Sequence, residues 1–346
     1  MALSFTDTSG NLGIDGHPAI ATDLVQLASM MRPIVFVILG LVSCMFPDVR
    51  PSPPPADAPA EDVALSGAAV LIGAGDIASC QSLGDEATAA IVDSVLKADS
   101  AAGVEDYVFT TGDNAYPSGT TRDFATCFGA SWGDSAKRIM KWIHPSPGNH
   151  DYESAGAAPY YRYFGDRVAG SSRGGYYSYN LGEWHVVVLN SVIAVSTQLF
   201  SFTDRKAQED WLRADLKAND KKCTVAYWHH ARFSSGRTYA SMQPLYQILY
   251  DANADLVLVG HDHHYERFAP QTPAGTVDTA RGIPQIIVGT GGAELRGIPR
   301  PYARNSLIRI EGHLGVVKLT LGASEYRSAF IDTEGRVWDR SGGKCH

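Results

Sequence analysis

The chain has 346 residues, of which 45% are hydrophobic and 19% charged, and its formal net charge is −8 at pH 7. This length allows one large domain or two ordinary ones, and the hydrophobic content excludes a largely disordered chain. A nucleic-acid-binding surface would need a basic face, so the acidic balance argues against that class of partner. Net acidity does not exclude a phosphate substrate, because bound cations reverse the local field.

The amino-terminal region predicts export. Residues 1–30 contain no Lys or Arg, which is wrong for the start of an export signal, so we interpret them as an over-extended start. Residues 31–44 resemble a signal segment: Arg32 precedes an apolar run that begins at Ile34 and continues to Phe46. This run is too short for a membrane span of about 20 residues. The stretch ending in Cys44 resembles a bacterial lipobox, with Cys44 as the lipidated residue. A plain cleaved signal peptide and an uncleaved anchor stay open as alternatives, and all three predict export.

The next region is rich in proline. Residues 45–64 predict an extended linker, and residues 65–346 predict the folded domain. The folded part has four cysteines, an even number that suits disulfides in an oxidising compartment. Their spacing does not fix the pairing. We predict one disulfide between Cys80 and Cys127, which both follow polar strand-end clusters, and a second between Cys223 and Cys345.

Strands and helices alternate in the first part of the domain. Strand-like runs at residues 69–75 and 107–111 flank a helical period over 86–98, a βαβ pattern that predicts parallel strands. Residues 175–190 predict an antiparallel hairpin that turns at Leu181-Gly182-Glu183. The remaining predicted elements, in chain order, are a helix over 204–218, a strand over 224–228, a helix over 243–250 and a strand over 256–259.

After Arg267 the pattern contains only short strands, which we place at 285–289, 314–321, 326–332 and 335–338. The whole pattern predicts an α/β fold of two mixed β-sheets packed face to face, with helices outside. Loops at the carboxyl ends of the strands would then share one rim, where open α/β sheets bind ligands.

Polar clusters follow five of the strand-like runs. Their metal-ligating residues are Asp76, Asp113 with Tyr116, Asn149 with His150, His229 with His230, and His261 with His263. Hard oxygen donors mixed with imidazole, and no thiolate, suit Fe, Mn or Zn. Two such ions about 3.5–4 Å apart would need a bridging carboxylate and could clamp both oxygens of an in-line displacement at phosphorus.

Five blocks of the sequence resemble, in the same order, the signatures of the calcineurin-like metallophosphoesterases. They are Gly75-Asp76, Gly112-Asp113-Asn114-Ala115-Tyr116, Gly148-Asn149-His150-Asp151, His229 and Gly260-His261-Asp262-His263. Most of that superfamily has a histidine where this chain has Ala78. Tyr116, three residues beyond Asp113, resembles the ligand that replaces this histidine in the purple acid phosphatase branch. The trailing Tyr265-Glu266-Arg267 also resembles that branch.

This resemblance implies an α-β-β-α metallophosphoesterase fold and a ligand set for two metal ions. The first ion would be held by Asp76, Asp113, Tyr116 and His263. The second would be held by Asp113 as the bridge, Asn149, His229 and His261. A phenolate donor favours Fe(III) in the first position, with Zn, Mn or Fe(II) in the second. Tyr116 could instead be a core aromatic residue with a satisfied hydroxyl.

The resemblance also implies roles around the metals. His150, oriented by Asp151, would be a phosphate clamp or general acid, and His230 would be a second candidate proton donor. Arg232 would contact a phosphate oxygen, although His230 and Arg232 could equally be ordinary surface residues.

The implied activity is hydrolysis of small-molecule phosphoric monoesters by a metal-activated hydroxide that attacks phosphorus in line. The alternatives are a phosphodiesterase on the same scaffold and a non-catalytic binding protein with a vestigial site. Membrane contact is expected only through an N-terminal lipid or signal anchor.

Overall fold

The computed structural model describes Leu65, residues 68–168 and residues 174–346. The predictions for residues 1–30, 31–44 and 45–64, including the lipidation of Cys44, lie outside the described residues and stay predictions. Within the described ranges, no helix combines the length and apolarity that crossing a membrane requires.

The described residues form thirteen β-strands and seven α-helices. The strands are β1 Ala69–Ala74, β2 Asp106–Thr110, β3 Ile143–Pro145, β4 Tyr177–Leu181, β5 Trp184–Val188, β6 Cys223–Tyr227, β7 Leu256–Val259, β8 Tyr265–Phe268, β9 Gln285–Val288, β10 Ser306–Ile310, β11 Gly315–Leu321, β12 Glu325–Asp332 and β13 Val337–Lys344. The helices are α1 Gly84–Ala102, α2 Thr121–Thr126, α3 Ile139–Trp142, α4 Ala158–Phe164, α5 Ser191–Val195, α6 Phe202–Ala218 and α7 Gln243–Asp251. Short 3₁₀ turns lie at Phe128–Ala130, Asp151–Glu153, Ala155–Ala157, Gly165–Val168 and Ala240–Met242.

The strands form two mixed sheets, as predicted. The first has the order β13-β12-β11-β1-β2-β3, and β1, β2 and β3 run parallel. The second has the order β10-β8-β9-β7-β6-β5-β4, and β5, β6, β7 and β9 run parallel. The antiparallel strands lie on one side of the first sheet and on both sides of the second. Because the remaining strands of each sheet run parallel, their carboxyl ends lie at the same edge of that sheet.

Helix α1 is the crossover between the parallel strands β1 and β2, as the βαβ pattern predicted. Asp85 and Glu86 lie in its first turn, where negative charge favours the helix dipole, and Val92 and Leu96 are buried. The helix ends at Gly103, whose left-handed backbone (φ 70°) lets its N–H donate to carbonyls of the last turn.

The second sheet is buried on both faces. Val186, Val225 and Leu258 pack into the core that the first sheet shares, which places the two sheets face to face. The alternate residues Val187 and Ala226 pack instead into the cluster that contains α5, α6 and α7 residues. This two-sided burial explains why the parallel strands are nearly continuous apolar runs rather than alternating ones.

The predicted hairpin is confirmed as β4 and β5, with Gly182 (φ 55°) in the turn. The predicted strand at 335–338 was wrong at its start: Gly335 (φ 79°) belongs to the turn, and β13 begins at Val337. Three strands, β3, β8 and β10, have no clear period in the sequence, because they contain only three to five residues each.

Both predicted disulfides are present, Cys80–Cys127 with a Cα–Cα distance of 4.9 Å and Cys223–Cys345 with 5.3 Å. The first ties the chain after β1 to α2, beside the predicted ligands. The second joins the start of β6 to the residue after β13.

Candidate metal centre

The predicted ligands all lie at one rim of the two sheets. Each except Tyr116 lies within four residues of the carboxyl end of a strand. In the first sheet Asp76 follows β1, Asp113 follows β2 and Asn149 follows β3. In the second sheet His229 follows β6 and His261 follows β7. The parallel strand directions therefore bring residues far apart in the sequence to a common edge.

The backbone is strained where the ligands begin. Asp76 (φ 57°), Asp113 (φ 51°) and His261 (φ 72°) adopt left-handed conformations, which residues other than glycine rarely occupy. Strain of this kind costs about 1–3 kcal/mol per residue and clusters at functional sites. Neighbouring glycines make room: a Cβ on Gly148 would lie 2.1 Å from Asp113 Oδ1.

Tyr116 joins the first group of ligands. Its hydroxyl Oη lies 3.0 Å from Asp76 Oδ1, 3.2 Å from Asp113 Oδ2 and 3.2 Å from His263 Nε2. His263 Nε2 is also 3.2 Å from Asp76 Oδ1. A phenol has one proton and can donate to only one of these groups at a time. The four atoms Tyr116 Oη, Asp76 Oδ1, Asp113 Oδ2 and His263 Nε2 therefore converge more closely than hydrogen bonding alone requires.

His229 joins the second group. Its Nε2 lies 3.1 Å from Asp113 Oδ2, 3.1 Å from Asn149 Oδ1 and 3.1 Å from His261 Nδ1. Asp113 Oδ2 is therefore close to both Tyr116 and His229, which is the position that a bridging carboxylate requires. The seven predicted ligands form one continuous set of contacts.

The charges of the site call for a cation. Asp76 and Asp113 are almost fully buried, and neither has an Arg or Lys contact among the described residues. Burial alone would raise the pKa of Asp113, but the charge and hydrogen bond of His229 bring that pKa well below its usual range. In return, Asp113 overcomes burial and raises the pKa of His229 to about 9. Two buried carboxylates thus require positive charge, which a metal ion would supply.

Two of the three imidazoles have backbone partners that fix which nitrogen faces the site. His229 Nδ1 lies 2.8 Å from the Thr111 carbonyl oxygen, and His263 Nδ1 lies 2.5 Å from the Glu294 carbonyl oxygen. A carbonyl only accepts, so both Nδ1 atoms carry hydrogen and both Nε2 atoms face the site, where a metal ion would take the place of a proton. The donor set of carboxylates, imidazoles, an amide oxygen and a phenol fits two hard or borderline ions.

His150 lies at the edge of the site, but its orientation differs from the prediction. Its Nδ1 is 2.6 Å from the Pro117 carbonyl oxygen and 3.2 Å from Glu153 Oε1, and its Nε2 is 4.0 Å from Asp113 Oδ2. The predicted orienting role of Asp151 was therefore wrong. Although Asp151 directly follows His150 in the sequence, its carboxylate points beneath the loop and not toward the His150 imidazole.

Asp151 has a different, structural set of contacts. Its buried carboxylate accepts the Gly148 N–H at 2.9 Å and the side-chain amide of Asn114 at 2.9 Å. The Asn114 amide also donates to the Ser146 carbonyl at 3.0 Å. Asp151 thus ties the loop that carries Asp113 to the loop that carries Asn149.

The two remaining predicted residues differ in position. His230 is buried beside the ligands: its ring centroid is 4.7 Å from that of His261, and its Nδ1 lies 2.9 Å from Ser191 Oγ. Arg232 turns away from the ligands, since its guanidinium donates to the Pro273 carbonyl at 3.0 Å and stacks on Phe233. The structure does not bring Arg232 to the site.

Sequence reasoning missed Tyr239, whose hydroxyl lies 2.6 Å from His261 Nε2. The loop that carries Tyr239 is held by two carboxylates of the block after β7. Asp262 accepts hydrogen bonds from the Ser234 hydroxyl and the Arg237 N–H, and Glu266 accepts the Ser235 N–H at 2.9 Å. Local sequence periodicity does not identify these contacts, because they join residues about thirty positions apart in the sequence.

A cavity of about 430 Å³ opens beside the first ligand group. Its lining includes Tyr116, His150 and His263 from the site and the disulfide Cys80–Cys127. A molecule bound at the ligands would therefore extend into this space.

The fold and site define a metallophosphoesterase. The chain belongs to the calcineurin-like phosphoesterase family, whose sequence profile matches residues 72–265, a range that contains all seven predicted ligands. The resemblance seen in the sequence is confirmed.

Several relatives with similar sequences are acid phosphatases. Purple acid phosphatase 15 of Arabidopsis thaliana is 32% identical over 135 residues, which cover 35% of this chain and 24% of that protein. Acid phosphatase type 7 of Homo sapiens is 25% identical over 253 residues, which cover 60% of this chain and 54% of that protein. The matched part of this chain thus spans about a quarter to about half the length of these two relatives.

Two solved structures share the fold. The purple acid phosphatase from yellow lupin (Lupinus luteus) seeds superposes with a TM-score of 0.66 at 16% identity, covering 83% of this chain and 55% of that chain. GAP50 of Plasmodium, described as the anchor in the inner membrane complex, superposes with a TM-score of 0.64 at 14% identity, covering 81% and 89%. At these identities the likeness concerns the fold alone.

Proposed function

We propose that this chain is a binuclear metal-dependent phosphoric monoester hydrolase of the purple acid phosphatase type, acting on small phosphate esters. One observation carries the proposal: seven donor side chains from both sheets meet within 3.0–3.2 Å contacts around two buried carboxylates. A shared fold does not by itself establish an activity, so the proposal depends on the complete set of donor side chains.

The first ion would be held by Asp76, Asp113, Tyr116 and His263, and the second by Asp113, Asn149, His229 and His261. When bound, two such ions supply Lewis-acid stabilisation of the phosphate oxygens and a nucleophile generated from water. The phenol of Tyr116 favours Fe(III) in the first position, and Zn, Mn or Fe(II) would suit the second.

The chain's own residues supply orientation and a proton. Asp113 contacts both ligand groups through one oxygen and would fix their separation. His150 is half-buried at the cavity, and its Nδ1 is held by the Pro117 carbonyl, so its Nε2 faces the site. From there it would clamp a phosphate oxygen or protonate the leaving alkoxide. His230 remains the second candidate for that proton, and a phosphate contact by Arg232 would need its side chain to move.

The experiment compares a chromogenic aryl monoester with its diester after loading with Fe, Zn or Mn. We expect faster hydrolysis of the monoester, loss of activity with a chelator, and recovery on adding metal. His261→Ala should abolish turnover, whereas His313→Ala, which removes a histidine packed against Trp338 outside the site, should not. A faster diester rate would make the chain a phosphodiesterase, and metal binding without either activity would make it a binding protein.

We also propose that the protein is exported and held at the cell envelope or secreted. Two disulfides in one domain support an oxidising compartment, where such bonds persist. Lipid labelling of the wild type and of Cys44→Ser, together with sequencing of the mature N-terminus, separates the three predicted modes. Labelling lost in Cys44→Ser supports a lipoprotein, a cleaved unlabelled chain supports a signal peptide, and an uncleaved chain supports an anchor.

A further inference from the structure

The cavity beside the first ligand group is lined on one side by the predicted metal ligands Tyr116 and His263, which we call the ligand floor. Charged side chains also line it, and we call them the charged wall. Arg122, at the start of α2, and Arg296, whose N–H donates to the His263 carbonyl at 3.0 Å, both line it. Both side chains are exposed, and within the described ranges no carboxylate forms an ion pair with either guanidinium. Two exposed guanidinium groups beside a phosphate-binding floor are a recognition feature for anions.

Two carboxylates also line the cavity, and they differ in availability. Asp123 is committed to the capping box of α2, where it accepts the Thr120 N–H at 3.0 Å. Glu294 is exposed and would oppose an anion in the same space. The wall therefore has two free positive groups against one free negative group.

We propose that this wall is a subsite for a second anionic group, so that the preferred substrates are phosphate esters whose organic part carries a carboxylate or another phosphate. This inference rests on the proposed function. The scissile phosphate would lie at the predicted metal ligands, and the leaving group would extend into the cavity that Arg122 and Arg296 line. Arg122 and Arg296 there meet the second anion.

The test compares phenyl phosphate with its ring-carboxylated analogue and with a sugar bisphosphate, by phosphate release. In kcat/KM the wild type should prefer the esters whose leaving group carries a carboxylate or a second phosphate over phenyl phosphate by about tenfold. The double variant Arg122→Gln with Arg296→Gln should lose that preference. Glu294→Gln should increase it. Arg213→Gln, which removes an equal charge on the outside of α6, should leave it unchanged.

The outcomes separate the two proposals. No hydrolysis of phenyl phosphate by the metal-loaded wild type would refute the proposed function. Hydrolysis of phenyl phosphate with no preference for the charged analogues, or a preference that survives in the double variant, would overturn the subsite alone. A preference for the bisphosphate but not the carboxylate would restrict the second group to phosphate.

A separate observation assigns a role to Tyr239. His261 is the only one of the three ligand imidazoles whose Nδ1 faces the other ligands, at 3.1 Å from His229 Nε2. Its Nε2 faces the Tyr239 hydroxyl at 2.6 Å instead of a carbonyl. For Nδ1 to offer a lone pair, Nε2 must carry the hydrogen, and Tyr239 is the acceptor placed to receive it.

We infer that Tyr239 is a positioning residue for the second metal, selecting the tautomer and the ring orientation of His261. The loop that holds it is fixed from the same block: Asp262 and Glu266 anchor Ser234 and Ser235, and the Tyr239 N–H donates to the Ala231 carbonyl at 3.0 Å. The block that carries two ligands thus also holds the partner of one of them.

Tyr239→Phe tests this role by metal titration rather than by activity alone. Loss of an outer-shell partner weakens metal binding by about 10–100-fold, so the second dissociation constant should rise by that factor while the first stays the same. Tyr250→Phe, which removes a surface hydrogen bond to Asp278, is the matched control and should change neither constant. Equal weakening of both metals would show a general structural role, and no weakening would refute the assignment.

Discussion

Tyr116→Phe distinguishes a metal ligand from a core aromatic residue, because it removes one oxygen and preserves the ring. In the structure that oxygen contacts Asp76, Asp113 and His263, but its single proton serves only one of them. If Tyr116 only donates a hydrogen bond, the metal-free variant should lose about 1–3 kcal/mol of unfolding free energy. A loss of 1 kcal/mol corresponds to a fall in Tm of about 2–4 °C for a domain of this size.

If Tyr116 is a ligand, the larger effect appears in the metal-loaded protein. Affinity for the first metal should fall by about 100-fold or more, while the second metal keeps its own ligands. A visible absorption band from the phenolate–iron pair should disappear in the variant. The assays are metal analysis, the absorption spectrum, and thermal unfolding with and without a chelator. An unchanged metal content and spectrum, with only the small loss of stability, would refute the ligand role.

Three further outcomes follow from the structure. Asp113→Asn should abolish turnover and lower bound metal from two ions to one or none, and full activity would contradict its bridging role. Burial raises the pKa of Asp85 to about 7, so the stability that this carboxyl group contributes to the metal-free protein should be lost as pH rises from about 4 to 7. Burial also raises the pKa of Asp151 to about 7, so Asp85→Asn should remove only the Asp85 share of the pH dependence in urea unfolding, while Asp134→Asn at a half-buried position should leave that share in place. Replacing the disulfide Cys223–Cys345, which closes 122 residues, by serines should cost about 5 kcal/mol of unfolding free energy, and no loss would contradict the chain-entropy reasoning.

The sign of the Asp85 prediction depends on where its proton is retained. Below about pH 4 the carboxyl group is protonated in both the folded and the unfolded chain, so its contribution is complete. Between about pH 4 and 7 the unfolded chain releases the proton while the folded protein keeps it, and stability falls. The buried Oδ1 of Asp85 has no hydrogen-bond partner among the described residues, which agrees with a neutral carboxyl group.

The sequence by itself predicted which side chains would meet at the rim of the sheets. Asp76, Asp113, His229 and His261 each follow closely on a strand-like run rich in apolar residues, which is a local property that can be read directly. The direction of parallel strands then requires the ends to share an edge. The two mixed sheets and the hairpin could be predicted for the same reason, whereas the spacing of the cysteines left their pairing open.

Only the tertiary structure decided the directions of the side chains around the predicted ligands. Asp151 is next to His150 in the chain, yet its carboxylate joins two loops from beneath. Arg232 is three residues from His229, yet it points to Pro273. Tyr239 reaches His261 because carboxylates beyond β7 hold its loop. Side-chain directions in irregular loops depend on contacts between distant segments, and no periodicity of the sequence encodes them.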